Sequence, residues 1–440
     1  MRIFFSVGEP SGDLHGSNLI RRLKSQRPDI ECVGFGGPKM AAAGCELHFE
    51  LTTMAVMFLE ALKNIRFFFR LIAQADDYFA KNDIDAVVLI DYPGFNWWIA
   101  KKAKQRQIPV FYYGVPQMWA WAPWRVRKIR KYVDHVLCKL PFEVDWFAAR
   151  NCKATYVGHP YFDQLQSQQY DQQFIAGLTR ASQDAQDTED AQDNDGKHTR
   201  LLALLPGSRD QEVRSVLPLL LSAAEKTVKQ VQDCGVVVAC YNQKQQAMAQ
   251  EMIRERGLAY PTFVERTPEL MVAADVCLAC SGSVSLELLH HRKPTIILFK
   301  VKRWLMAAQA ILMRCKYITL VNLIAAGDIE RTSWRPYDPD AVDAQEAVMP
   351  EYLTTGDPSD KVAARTVALL SDESLRQENI DRLDELARQY AIPGATDRAA
   401  DYILEKILQR LGVPENSRSE DSQEQQEKQS TESPENRSAA

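Results

Sequence analysis

Leu201-Leu202-Ala203-Leu204-Leu205-Pro206-Gly207-Ser208-Arg209 and, farther along, Cys277-Leu278-Ala279-Cys280-Ser281-Gly282-Ser283-Val284-Ser285-Leu286-Glu287 share one design. In each, an apolar run of strand length meets small residues and then helical sequence. A strand that turns this way into a helix presents backbone N–H groups and a positive helix end to a phosphate. Two such turns, one with Arg209 and the other with Glu287, suggest a nucleoside diphosphate held by its phosphates and ribose. They point to a nucleotide-sugar enzyme.

The Arg209 guanidinium can clamp two phosphate oxygens while the Gly207 and Ser208 amides bind others. The plainer alternative is a surface pair with Glu212, worth only about a few tenths of a kcal/mol. Such a pair would not call for the Pro-Gly-Ser turn before it, which favours phosphate. Ser281, Gly282 and Ser283 offer hydroxyls and amides at the next helix start. One turn on, Glu287 can accept two ribose hydrogen bonds, although an acid in a first helical turn is also favoured by the helix dipole.

Outward from these turns, strand-like and helix-like runs alternate. Arg2–Val7, Ile30–Phe35, Ala86–Ile90 and Val110–Tyr113 precede the quoted stretches, and Leu201–Leu205, Gly235–Cys240, Thr262–Val264, Val276–Ala279 and Thr295–Phe299 continue the pattern. This is the signature of an α/β fold: two Rossmann-like parallel-sheet domains with helices on both faces. The expected boundaries are an N-terminal domain over 1–165, an acidic mobile linker over 166–199 and a nucleotide-binding domain over 200–360. C-terminal helices follow over 361–412, broken at Ile392-Pro393-Gly394-Ala395, and a disordered Glu/Gln/Ser-rich tail occupies 413–440.

The formal charge of −5 misleads, because residues 171–198 hold seven acids and two bases and residues 413–440 seven acids and three bases. The remainder is mildly basic, about +4, which permits contact with phosphorylated or anionic partners but falls short of a nucleic-acid binder. The nine cysteines are scattered without zinc spacing and read as reduced core thiols of a cytoplasmic protein. Strand-like sequence from Met1 leaves no room for a signal peptide.

In an open α/β sheet, ligands lie beyond the carboxyl ends of the strands. Asp91 sits there, directly after Ala86–Ile90, where a carboxylate can take a proton from a substrate hydroxyl; the same place suits an aspartate that caps the next turn. The first strand runs into Gly8-Glu9-Pro10-Ser11-Gly12-Asp13-Leu14-His15-Gly16. This lacks dinucleotide spacing but could bring Glu9, Ser11, Gly12, Asp13 and His15 to a sugar. A tight turn and a structural histidine are the plainer account. No acidic cluster has the strand-end setting of a metal-diphosphate site, so no metal or other cofactor is expected.

Met54–Ala73 mixes Met54, Met57, Phe58, Phe67 and Phe68 with Lys63, Arg66 and Arg70; Trp119, Trp121 and Trp124 precede Arg125, Arg127 and Lys128. Each can be an amphipathic helix on its own core, or a contact with acyl chains beneath anionic head groups. Neither stretch is apolar enough to span a bilayer.

Taken together, these segments resemble the lipid-A-disaccharide synthase family, glycosyltransferases of the GT-B fold. The resemblance rests on Gly8–Gly16, Gly34–Met40, Ala55–Met57 with Glu60, Ile90–Asn96, Trp119–Trp121, Leu140–Glu143, Val157–Pro160, Leu204–Arg209 with Glu212, Ser281–Glu287, Leu320–Leu323 and Met349–Glu351. It implies two domains facing across a cleft, with the C-terminal helices packing back across the interface. The implied reaction moves 2,3-diacylglucosamine from its UDP derivative to 2,3-diacylglucosamine 1-phosphate, with inversion and release of UDP.

Under it, Asp91 is the base, while Gly207, Ser208, Arg209, Ser281, Gly282, Ser283 and Glu287 hold UDP, with Asn322 and Glu351 beside them. Glu9, Ser11, Gly12, Asp13, His15, Glu60 and Asn96 fall on the acceptor side. Phe58, Phe67, Phe68, Trp119, Trp121 and Arg125 contact lipid at the cytoplasmic face of the inner membrane, and the chain forms a homodimer. The chain departs from the family pattern at Pro10, Phe58 and Gly94, where the family usually has Thr or Ala, Gly and Asp. Two other readings fit the same residues: another GT-B enzyme acting on UDP-N-acetylglucosamine, and a non-catalytic UDP- or glycolipid-binding paralogue.

Overall fold

The computed structural model describes residues 1–52, 65–184, 200–331, 337–341 and 347–412. Its strands form two wholly parallel sheets. The first comprises β1 (Arg2–Val7), β2 (Glu31–Gly36), β3 (Cys45–Glu50), β4 (Ala86–Ile90), β5 (Val110–Tyr113), β6 (His135–Cys138) and β7 (Ala154–Tyr156), in the order β3-β2-β1-β4-β5-β6-β7. The second comprises β8 (Arg200–Leu205), β9 (Cys234–Cys240), β10 (Thr262–Val264), β11 (Val276–Cys280), β12 (Thr295–Lys300) and β13 (Glu351–Thr354), in the order β10-β9-β8-β11-β12-β13.

Strand order reverses once in each sheet, between β1 and β4 and between β8 and β11. The two stretches that opened the sequence reading are therefore neighbours, with Val276 beside Leu202 and Ala279 beside Leu205. Four strands escaped the sequence reading: β3, β6, β7 and β13. Three of these lie on sheet edges, and all are short or carry charge, as edge strands that resist further pairing tend to do.

Helices cover both faces because the central strands are apolar on both sides. In the first sheet Ile3, Phe4, Phe5, Val87, Val88 and Leu89 are fully buried, and the Phe4 ring meets Phe35 and Phe79 edge-on at 5.4 and 4.9 Å. In the second, Leu202, Leu204, Val238, Leu278 and Ile296 pack against Val213, Leu217 and Leu220 of the helix Asp210–Val228.

The chain divides into two compact units, Met1–Gly114 with Lys131–Leu137 and the chain from Thr396, and Val115–Arg130 with Cys138–Ala395. These limits differ from the boundaries expected at 165, 199 and 360. The helix Gln172–Asp184, which falls in the expected linker, packs Phe174 on Phe263 with ring centroids 5.2 Å apart, and the adjoining Asp171 pairs with Arg266 at 3.1 Å. The expected 361–391 helix is two, Ser359–Ser371 and Glu373–Tyr390, divided where the Asp372 carboxylate accepts from the Leu375 N–H at 3.0 Å.

The last helix, Ala395–Leu411, belongs to the first unit. Its Asp397 pairs with Arg22 at 3.0 Å and its Tyr402 hydroxyl lies 3.1 Å from His135 Nδ1. No helix of the described residues is long and apolar enough to cross a membrane. The nine cysteines are free and buried.

Candidate functional site

At the carboxyl ends of β8, β9 and β11 lies a cavity of about 680 Å³, at the point where the order of the second sheet reverses and where open sheets bind their ligands. Its wall includes Gly207, Ser208, Arg209, Ser281, Gly282, Ser283 and Glu287. Gly207 has φ +111°, and a Cβ there would come within 2.6 Å of Glu212 Oε2. Only glycine lets this turn pass so close to the first helical turn.

Arg209 is also paired as its plainer reading foresaw: Nη1 donates to Glu212 Oε1 at 2.8 Å and its backbone N–H donates to Oε2 at 3.2 Å. Its side chain is nonetheless 81% exposed. Glu212 thus aims a guanidinium that stays open to an anion.

Two residues overlooked in the sequence hold this wall. Gln245 is buried; its Nε2 donates to the Ser208 carbonyl at 2.8 Å and its Oε1 accepts from the Tyr241 N–H at 3.2 Å, tying the Gly207–Arg209 turn to the end of β9. A glutamine in the first turn of the helix Gln243–Glu255 gives no sequence signal for a strut to another turn. Tyr161 donates its hydroxyl to Glu287 Oε2 at 2.9 Å. Burial raises the pKa of Glu287, against the Tyr161 hydrogen bond that lowers it, and burial beside that carboxylate raises Tyr161 as well.

Asn322 and Glu351 do not line the cavity. Both are buried, and Glu351 accepts from the Ile318 and Thr319 N–H groups at 2.7 and 2.9 Å and from Asn322 Nδ2 at 3.1 Å. Burial pushes Glu351 up to about 7, against these donors. The segment they fix accepts the Ser281 hydroxyl at the Ile318 carbonyl, 3.4 Å away. They reach the cavity through Ser281.

In the first unit, Asp91 and Tyr92 close β4 with φ of +46° and +43°. Two successive left-handed residues without glycine cost about 1–3 kcal/mol each, a strain that persists where neighbours enforce it. Here the Asp91 carbonyl accepts from the Tyr112 hydroxyl at 2.7 Å and from Asn96 Nδ2 at 2.8 Å. The Tyr92 ring lies where a side chain on Gly8 would stand, 2.2 Å from the position of its Cβ. The half-buried Asp91 carboxylate faces Gly12, whose absent Cβ would be 3.8 Å from Oδ2.

Several residues expected on the acceptor side serve the fold. Asp13 is buried and accepts from the backbone N–H groups of Gly37, Lys39 and Met40 at 3.0–3.1 Å, capping the helix Pro38–Ala42. Asn96 accepts from the Ser6 hydroxyl at 2.6 Å and joins the ends of β1 and β4. Glu9 and Ser11 are exposed at the start of the helix Pro10–Gln26, with His15 half-buried one turn on. A side chain at Gly94 would meet nothing within 4 Å, so an aspartate in its place would find open space. Glu60 and Phe58 lie outside the described residues.

Of the lipid-facing candidates, Phe67 and Phe68 are half-buried on the helix Ile65–Lys81, and Phe68 reaches Phe95 at 5.9 Å. Trp119 is core: it is 2% exposed, donates Nε1 to Glu143 Oε1 at 3.0 Å and packs edge-on against Phe142. The sequence could not separate it from Trp121 and Arg125, which are exposed, because one helical turn places neighbours on opposite sides. No group of three or more His, Cys, Asp or Glu residues poised to hold a metal occurs among the described residues.

Two parallel sheets, each reversing its strand order once, with a cavity of nucleotide size at the second reversal, have the architecture of the GT-B fold. The S. aureus MnaA–UDP co-structure has the same fold, with a TM-score of 0.55 at 12% identity over 94% of this chain and 97% of that one. A model of the lipid-A-disaccharide synthetase family matches residues 3–336. The lipid-A-disaccharide synthase of Myxococcus xanthus is 30% identical over 92% of this chain and 97% of its own length; that of Coxiella burnetii is 29% identical over 92% and 98%. The chain belongs to the lipid-A-disaccharide synthetase family.

Proposed function

We propose that the second unit holds the UDP moiety of a donor sugar against Gly207–Arg209, Ser281–Ser283 and Glu287, and that Asp91 of the first unit activates the acceptor hydroxyl. Membership of the family makes the chain a glycosyltransferase of lipid A disaccharide synthesis. The observation that carries the site reading is the cavity at the second sheet's reversal, which gathers both phosphate-type turns and a buried carboxylate in one wall.

In this reading the donor is UDP-2,3-diacylglucosamine and the acceptor 2,3-diacylglucosamine 1-phosphate. Asp91 takes the proton of the acceptor 6-hydroxyl as its oxygen attacks the anomeric carbon of an α-linked donor from the opposite face. The bond to UDP breaks as the new β-1,6 bond forms, and the departing diphosphate keeps the electron pair. Arg209 and the turn amides neutralise that charge, as fixed donors do for a developing anion. Glu287, oriented by Tyr161, accepts from the ribose hydroxyls.

Both substrates carry acyl chains, and the first unit offers an aromatic face to receive a membrane. Phe69 and Trp98 are exposed together with ring centroids 5.8 Å apart, beside the exposed Arg66 and Arg70. Peripheral attachment to the cytoplasmic face of the inner membrane, and assembly as a homodimer, belong to the same reading.

The test is mass spectrometry of a detergent reaction holding both acylated substrates without added metal, run beside Asp91→Asn. A disaccharide product that disappears in the variant supports the reaction and the base. Product formed undiminished by Asp91→Asn removes Asp91 from that role, and UDP binding without product favours a non-catalytic paralogue.

A further inference from the structure

The second unit exposes large apolar side chains that the nucleotide site does not use. On the helix Arg303–Leu312, Trp304 is 69% and Leu312 48% exposed. On the segment Met118–Arg125, Trp121 is 43% and Trp124 58% exposed. The two stretches adjoin, because the Arg314 N–H just beyond the first donates to the Ala120 carbonyl in the second at 2.9 Å.

Charge along these two stretches has one sign, while Asp328 and Glu330 come in from elsewhere only beyond the helix, where Asp328 pairs with Lys316 at 3.6 Å and Glu330 bridges Cys315. Lys302 and Arg303 precede Trp304, Arg125 and Arg127 follow Trp124, and all four are exposed. From Lys300 to Lys316 there is no acidic residue, and none from Val115 to Lys131. Tryptophan has an apolar body with a polar edge that suits the head-group layer, and each cation near an anionic leaflet adds electrostatic attraction.

We propose that these paired segments form a docking surface for an anionic lipid bilayer, carried by the nucleotide-binding unit itself and separate from the aromatic face of the first unit. A second copy of the chain fits the surface poorly. An isologous contact would set the same face against itself and oppose cations with cations. The position also suits a lipid-bearing donor: β12 ends at Lys300 beside β11, with Cys280 opposite Leu298, so the helix Arg303–Leu312 departs from the same carboxyl end of the sheet at which the cavity opens. Docking there holds the donor site at the membrane surface. This deepens the peripheral-membrane reading above and rests on it.

The experiment is flotation of the full chain with phosphatidylcholine vesicles, with and without phosphatidylglycerol, at low and high ionic strength. Trp304→Ser with Leu305→Ser, and Lys302→Glu with Arg303→Glu, should each weaken binding to anionic vesicles at least about tenfold, the second pair losing most of its effect in high salt. UDP affinity measured by calorimetry should not change, which shows that the variants fold.

Undiminished flotation of both variant pairs, with loss in Phe69→Ser with Trp98→Ser, overturns this surface and leaves the membrane reading standing. No flotation of the unaltered chain overturns both. Undiminished flotation together with a dimer that Trp304→Ser dissociates in sedimentation velocity assigns the surface to self-association and overturns the proposal.

Discussion

The two switch points of this protein are built in opposite ways. Beyond β1 and β4 the space is filled by the protein itself: Tyr92 lies over Gly8, Asn96 spans the strand ends, and Asp13 is spent on a helix cap. What remains is one half-buried carboxylate on a strained backbone. Beyond β8 and β11 the chain stands back and leaves a cavity edged by turns, held from behind by Gln245 and by the Glu351–Asn322 network. Under the proposed function, one topology serves two tasks. Filling a switch point fixes a single reactive group, whereas leaving it open makes room for a bulky anion.

If this division is right, damage to the filled site should fall on turnover and damage to the open site on binding. The largest effect is expected for Asp91→Asn, which should lower kcat by about 10²–10⁴, the contribution of a positioned base. Its UDP affinity, read by calorimetry, should be unchanged. Arg209→Ala should weaken UDP binding by about 1.5–3 kcal/mol, the range of a hydrogen bond to a charged group. Unaltered affinity would mean that the pair with Glu212 is all that Arg209 does.

Gln245→Ala leaves the Ser208 carbonyl and the Tyr241 N–H without their partner. Chemical denaturation should register a loss of about 1–2 kcal/mol, with UDP affinity falling alongside. An unchanged Kd would show that the Gly207–Arg209 turn needs no support from β9.

The smallest effect concerns pH. An unfolded glutamate titrates at about 4.3, whereas burial holds Glu351 at about 7. Between these values the folded chain binds the additional proton, so stability declines as pH rises through that window. Glu143 and Glu287, raised by burial too, act with the same sign. Glu351→Gln should therefore flatten the curve of stability against pH in part, and a curve identical to that of the unaltered chain would contradict the assigned proton.

Much of the framework was legible in the residues because long, buried parallel strands must be continuously apolar, and Leu201–Leu205 and Val276–Cys280 are. The edge strands β3, β7 and β13 were illegible because a strand paired on one side needs neither length nor apolar character. Gly207, Ser208, Arg209 and Ser281–Ser283 could be read as one wall because small residues directly after a strand have few other uses. Asp13 and Asn96, in equally suggestive places, were read as facing a ligand and instead satisfy backbone groups. A short polar side chain at a strand end serves either purpose, and only the nearest donors decide which.

By itself the sequence determined the alternation of strands and helices, the two small-residue strand-to-helix turns and the family, since these rest on local periodicity and on residues adjacent in the chain. The tertiary structure alone decided that the two turns share one wall, that Tyr161 serves Glu287, that Asn322 and Glu351 act through Ser281, and that Trp119 is buried while Trp121 and Trp304 are not. Each of these depends on partners far apart in the chain, and pairing at such range is fixed by packing and hydrogen-bond satisfaction across the whole fold, which no local pattern encodes.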